Sequence, residues 1–294
     1  MSTAVAIGIG NEEAQQTIAG LDSKACRQYI AHQGCTVYWR RFGDGPPLVL
    51  IHGGHGNWMH WIRNIEVLAQ EHTLWIPDLP GFGDSTDLAS HAHASDRLER
   101  LLGVVMATLD VLVDPEAVID LAGFSFGGLV AAHLAVQRAG VRRLALLGTA
   151  GHGGARRENM DMVNWRLRDR GLMLDALKHN LRALMLHDPD SIDAVAMAVQ
   201  EVASVRTRFR SKFFSRTAGL PGAFEAFRQP LLMIWGEHDA TAVPEDAAER
   251  LAKNHPERQW CLVPRAGHWV QYERAKDVNR LLQRWFSPSA AVDP

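Results

Sequence analysis

From about residue 35 onward, short apolar runs rich in Val, Ile, Leu and Trp alternate with longer stretches whose apolar residues recur at three and four spacing. That alternation marks a mostly parallel sheet with helices on both faces, because strands buried on both sides read as continuous apolar runs and the helices covering them as amphipathic ones. Runs at 47–52, 72–78, 117–124, 141–149, 230–237 and 259–266 predict strands. Stretches 95–113, 126–140 and 244–255 predict helices, with Gly140 closing the second and Pro244 opening the third. Segment 26–45 reads as two strands joined near Gln33-Gly34, an antiparallel hairpin at one sheet edge. Residues 1–20 carry no strong pattern and leave open an extra helix or a loose arm.

One interval breaks the alternation. Between about 151 and 222 no strand pattern occurs; Met173, Leu177, Leu181 and Leu184, then Ile192, Val195, Val199 and Val202, form two helical stripes separated by Asp188-Pro189. An interval of this length is no mere connector. It predicts a helical cap, 151–222, inserted in an α/β core made of 1–150 and 223–294 and lying over one end of the sheet.

Composition narrows the function. A chain of 294 residues, 47% of them hydrophobic, can bury a substantial core. The net charge of -2, with no block of five or more like charges, argues against nucleic acid as a partner. Cys26, Cys35 and Cys261 make no CxxC pair and no disulfide framework, which points to a reducing compartment. The N-terminus lacks the charged and apolar regions of a signal peptide, and no run of 18 apolar residues occurs, so the expectation is a cytoplasmic protein with no membrane partner.

The chemistry centres on Gly123-Phe124-Ser125-Phe126-Gly127, a GxSxG pattern placed between a predicted strand and a predicted helix. In such an elbow the serine backbone is strained, so the residues two away on either side must be small, and the helix N-terminus aims N–H groups at negative charge forming there. A serine hydroxyl also needs a base and a group to orient that base, in the chain order serine, acid, histidine. Asp239 ends one strand and His268 follows the last, 29 residues on. We therefore assign His268 as the base and Asp239 as its orienting acid, with Glu237 and His238 as the weaker rivals near the acid. The oxyanion site is expected from the backbone amides of Phe126 and of Gly54, in the loop HGGHGNW at 52–58. His52, His55 and His60 in and beside that loop match no common metal-ligand spacing, so no metal is expected.

HGG at 52–54, DLPGFGDS at 78–85, GFSFGG at 123–128, GxxD at 236–239 and Gly-His at 267–268, taken in order, resemble the α/β-hydrolase superfamily, in its lidded esterase and carbon-carbon hydrolase branches. The resemblance spans roughly 26–286 and implies an α/β-hydrolase fold: an eight-stranded, mostly parallel sheet with helices on both faces, a helical cap, a Ser125, Asp239, His268 triad and no cofactor. There are departures: Pro244 falls five residues after Asp239 where four is commoner, and HGGHGNW stands where hydrolases of ring-cleavage products commonly have HGGGPG. Serine at 125 excludes relatives with an aspartate nucleophile, and the stretch 146–154 holds no carboxylate that could serve as an acid one strand earlier.

A small-molecule substrate is expected between the strand ends and the cap, with Trp58, Phe126 and Trp269 as apolar walls. Within 151–228, 13 Lys or Arg stand against 9 Asp or Glu, which a solvated face on amphipathic helices explains most simply; a carboxylate-bearing substrate is the other explanation, with Arg206, Arg208 and Arg210 the residues to test for it. An edge strand offers a route to a homodimer. The leading reading is a serine hydrolase cleaving a small carboxylic ester through an acyl-enzyme. Its alternatives are a carbon-carbon bond hydrolase acting on a vinylogous diketone acid and a ligand-binding receptor on a hydrolase scaffold.

Overall fold

Gln33 and Gly34, both at positive φ (47° and 75°), turn the chain tightly between strand β1 (Cys26–His32) and strand β2 (Cys35–Phe42). This is the predicted hairpin, and its β1 strand forms the sheet edge. The computed structural model describes residues 12–89, 94–157, 161–217, 219–224 and 226–287. A helix precedes the hairpin, α1 (Glu12–Asp22); the rest of the arm read at 1–20 lies outside the described residues. After the hairpin come β3 (Pro47–Ile51), α2 (Ile65–Leu68), β4 (Thr73–Asp78), α3 (Arg97–Leu112), β5 (Ile119–Phe124), α4 (Phe126–Gln137) and β6 (Val141–Leu147). Then follow α5 (Arg170–Asn180), α6 (Ala194–Val205), α7 (Lys212–Ser215) and α8 (Gly219–Phe224), and finally β7 (Leu231–Gly236), α9 (Pro244–Ala252), β8 (Arg258–Val263), α10 (Val270–Glu273) and α11 (Ala275–Phe286).

The eight strands form one sheet in the order β1-β2-β4-β3-β5-β6-β7-β8, antiparallel at β1/β2 and β2/β4 and parallel from there on. Every residue of β4, β5 and β7 is buried, as the continuous apolar runs require of strands covered on both faces. Two cores result. One packs Leu101, Val105 and Leu109 of α3, Leu129 of α4 and Ala247 of α9 against one face, and the other packs Leu68, Val278, Leu282 and Phe286 of α2 and α11 against the opposite face. Helix α11, absent from the sequence reading, carries its buried apolar residues Val278, Leu282 and Phe286 at spacings of four, with Asn279 buried beside them.

Strand order reverses at β3: the chain leaves it toward β4 on one side and returns to β5 on the other, which opens a crevice beyond the carboxyl ends of these two strands. Between β6 and β7 the described residues contain helices and turns and no strand. Of the two stripes read there, Leu177, Leu181 and Val199 are buried, and a π-helical turn at Leu181–Met185 follows α5. No helix among the described residues is long and apolar enough to cross a membrane.

Arg40 on β2 is buried and bonds Asp22 of α1 at 2.7 Å, Asp78 at the end of β4 at 3.2 Å and Asp84 at 2.9 Å. Its guanidinium also lies 4.2 Å from the Tyr38 ring centre and 4.6 Å from that of Trp58. Burial opposes its charge, but Asp78 and Asp22 together outweigh that effect and hold it protonated. Removing one partner of a buried charge cluster leaves the others uncompensated. Arg40→Met is therefore expected to lower unfolding free energy by about 3–5 kcal/mol, read from urea denaturation, while leaving the far edge at β8 folded in the native state.

Candidate active site

Ser125 links β5 to α4 at φ 52° and ψ -118°, a backbone conformation that side chains other than glycine rarely adopt. Its amide donates to the Leu147 carbonyl at the end of β6 at 2.9 Å, and its own carbonyl accepts from Gly128 and Ala150, so neighbouring elements hold the strained turn in place. A Cβ on Gly123 would strike the Gly127 carbonyl, and one on Gly127 would strike the His52 carbonyl, which is why both positions must be glycine. The turn sits at the mouth of the crevice between β3 and β5.

Two distant loops meet it there. His268 Nε2 lies 2.9 Å from Ser125 Oγ, and His268 Nδ1 lies 2.8 Å from Asp239 Oδ2. With a carboxylate as its partner Nδ1 carries the proton, which leaves Nε2 to accept from the serine hydroxyl. Asp239 is wholly buried, and its Oδ1 accepts from both the amide and the hydroxyl of Thr241 at 2.7 and 2.8 Å. Burial pushes this carboxyl up, yet the His268 imidazole and the two Thr241 donors outweigh it and hold it below the ordinary carboxylate range. Thr241 was not identified in the sequence; the only signal was a hydroxyl two residues past the acid. The rivals fall away: Glu237 is exposed and accepts from the Arg265 amide, and His238 stacks on His187 with ring centres 3.7 Å apart.

His268 is fixed from both sides. The Gly267 amide donates to buried Glu273 Oε2 at 2.6 Å, and the Trp269 amide donates to the Met185 carbonyl, at the end of the π turn, at 2.7 Å. Glu273 also accepts from the His187 and Asp188 amides, so one carboxylate fastens the histidine loop to the interval between β6 and β7. Gly148 passes so close that a Cβ there would lie 3.0 Å from both Asp239 Oδ2 and His268 Nδ1.

The loop after β3 is braced by its histidines. Buried His52 accepts from the Leu79 amide through Nε2 at 2.9 Å and faces the Gly53 carbonyl through Nδ1, and His60 Nδ1 accepts from the Gly53 amide at 3.2 Å. Burial lowers the pKa of each. Among the described residues no group of three or more His, Cys, Asp or Glu could hold a metal ion. The loop brings Gly54 into the same cleft as Ser125 and His268, and Phe126 occupies the first turn of α4, where a helix amide has no partner within the helix.

That cleft has a volume of about 580 Å³. Trp58 and Trp269 do not line it, contrary to expectation. Trp58 lies under Arg40 and beside Phe42, because its amide is tied to Asp78 on the far side of the loop, and Trp269 stacks on Tyr272 at 4.1 Å with its indole N–H on the His60 carbonyl. The Phe126 ring is likewise buried, against Phe82 and Phe209. Arg206 pairs with Asp84 and Arg208 bonds the Ser85 carbonyl; neither they nor Arg210 line the cleft. Four other cations do: Arg156, Arg166, Lys212 and Arg216, none with a carboxylate partner among the described residues. Burial and the neighbouring Arg216 lower the pKa of Arg156, with Asp239 acting the other way.

A serine hydroxyl aligned on an imidazole backed by a buried carboxylate is an arrangement suited to nucleophilic attack on a carbonyl. Because the Asp239 carboxyl lies lower in the folded than in the unfolded chain, the stability it contributes is present above the unfolded value near pH ~4 and is lost as pH falls through the folded one. Urea midpoints measured between pH 6 and pH 3 are expected to fall more steeply for the natural chain than for Asp239→Asn.

Comparison with known proteins follows the same lines. Residues 46–275 match the family model described as alpha/beta hydrolase fold. The chain is 30% identical over 277 residues to the dihydrolipoyllysine-residue acetyltransferase component of the acetoin cleaving system of Pseudomonas putida, covering 84% of this chain and 65% of that protein. It is 29% identical over 253 residues to the 2-hydroxy-6-oxononadienedioate/2-hydroxy-6-oxononatrienedioate hydrolase of Cupriavidus pinatubonensis, covering 80% of this chain and 84% of that one. In fold it is similar to the meta-cleavage product hydrolase of Pseudomonas fluorescens IP01 (TM-score 0.71, 22% identity, 88% of this chain and 97% of that one). It is also similar to the carboxylesterase CesB of Bacillus subtilis (TM-score 0.73, 18% identity, 95% and 97%).

Proposed function

The chain belongs to the alpha/beta hydrolase fold family, and from that premise we propose that it is a serine hydrolase cleaving a small carboxylic ester that carries a remote anionic group. One observation carries the reading: the continuous contact from Asp239 through His268 to Ser125, opening into a cleft. In the reaction His268 Nε2 takes the Ser125 proton as Oγ bonds to the acyl carbon, and Asp239 stabilises the imidazolium that forms. The backbone amides of Gly54 and Phe126 receive the charge developing on the acyl oxygen. The tetrahedral adduct collapses to an acyl-enzyme as the imidazolium returns its proton to the departing alkoxide. Water then repeats the sequence, delivering its proton to His268 and its oxygen to the acyl carbon, and releases the acid and the serine hydroxyl.

The unpaired cations at the cleft support the anionic part of the substrate. Arg166, Lys212 and Arg216 are exposed around the mouth and Arg156 is half-buried, a distribution that draws anions in and orients them. Residues 151–222, which supply all four, act in this reading as the cap. A second reading, hydrolysis of a carbon-carbon bond in a vinylogous diketone acid, is favoured by one observation: the relative from Cupriavidus pinatubonensis is named for such a dicarboxylate.

Ser125→Ala is expected to abolish turnover of p-nitrophenyl esters and labelling by a fluorophosphonate. At low ionic strength an ester with a free carboxylate should exceed its neutral counterpart by about 10-fold or more in kcat/KM, an advantage removed by salt and by Arg166→Ala with Arg216→Ala. Turnover of a ring-cleavage diketone acid with no ester turnover would replace the first reading by the second. Stoichiometric labelling with no turnover of either class would overturn both.

A further inference from the structure

Ser211 stands out among the cleft residues outside the triad. It lies in Arg206–Lys212, a stretch of alternating cations, yet its side chain is buried at 3% exposure. The fold fixes it in place by three means. The Arg208 and Phe209 amides both donate to the Gly81 carbonyl, at 2.8 and 3.1 Å. Phe209 is wedged against Phe82 and against Phe126, the residue after the nucleophile, with ring centres 5.6 Å from each. The Ser211 carbonyl accepts from the Ser215 amide and hydroxyl at 2.9 and 3.0 Å. Its own hydroxyl has no partner among the described residues and opens into the cleft that holds Ser125 and His268.

Its neighbour there is the loop after β3. A Cβ on Gly54 would collide with Ser211 Oγ, which by standard backbone dimensions puts the hydroxyl within about 5 Å of the Gly54 amide nitrogen. An oxygen accepting from the Gly54 amide would then have a second donor within reach on the opposite wall. We infer that Ser211 is a further catalytic residue, its hydroxyl donating a hydrogen bond to the acyl oxygen alongside the Gly54 and Phe126 amides. The interval between β6 and β7 thereby takes part in the chemistry as well as in enclosing the substrate. This inference rests on the serine-hydrolase reading of the site. A hydroxyl that lines the cleft with an unused donor gains most where negative charge develops, so its effect falls on the transition state.

Ser211→Ala, Ser211→Thr and Ser125→Ala in the full chain, assayed with p-nitrophenyl acetate and a trifluoromethyl ketone inhibitor, separate the possibilities. Loss of a donor of this kind predicts a fall in kcat of about 10–100-fold in Ser211→Ala, with KM within twofold and a parallel loss of ketone affinity. Ser211→Thr, which keeps the hydroxyl, should retain most of the rate. A kcat within twofold of the natural chain, a loss confined to KM, or an unchanged ketone affinity would each overturn the inference. Should Ser211→Ala not fold, Ser211→Cys, similar in size but a weak donor, carries the same expectations and the same refutations. Turnover surviving in Ser125→Ala would instead defeat the reading of the whole site, whereas Ser125-dependent turnover that Ser211→Ala leaves intact defeats the Ser211 role alone.

Discussion

The positive φ of Ser125 is the constraint from which the architecture of the site follows. A serine held there lifts its hydroxyl off the end of β5, but only if the strand before it, the helix after it and the loop beside it approach more closely than side chains permit. Gly123 and Gly127 make that approach possible, one against the helix start and the other against the His52 carbonyl. The same solution recurs at the other loops that converge on the site. Gly148 passes beside the Asp239 and His268 pair, and a Cβ on Gly236 would strike the Gly267 and Ala266 carbonyls. Close backbone packing at the carboxyl ends of β3, β5, β6 and β7 is thus what places three side chains within bonding distance of one another.

Buried polar groups then hold the arrangement rigid. Asp239 lies wholly in the interior and is balanced by an imidazole and by Thr241, each carboxylate oxygen facing a donor. Glu273 joins Gly267, His187 and Asp188 through their amides, so one carboxylate ties the histidine loop to the helical interval. The π turn contributes directly: the Met185 carbonyl at its end bonds the Trp269 amide.

Charge is divided across the cleft. The histidines of the loop after β3 have lowered pKa values through burial, and His55 at the cleft is lowered further by Arg166 and Lys212. Burial thus disfavours the charged form of these imidazoles, while Arg156, Arg166, Lys212 and Arg216 line the cleft beside His55.

The strands, the hairpin, the helices flanking Ser125 and the three residues brought together there were all legible in the amino-acid sequence, because each is written in a short stretch: a buried strand as an apolar run, an elbow as two glycines around a serine, Asp239 and His268 as polar residues just past strand ends. Helix α11 was not recognised, since its mean composition is polar and only the spacing of Val278, Leu282 and Phe286 reveals it. Which side chains face the cleft was decided by tertiary structure alone. Trp58, Trp269 and Arg206 had the right chemistry but were claimed by Asp78, His60 and Asp84. Ser211 and Glu273 gave no local sign of their place, and Thr241 only a hydroxyl two residues past Asp239. A pattern of apolar and polar residues fixes which face of an element is buried; what that face meets depends on contacts between segments far apart in the chain, where the sequence itself carries no periodic signal.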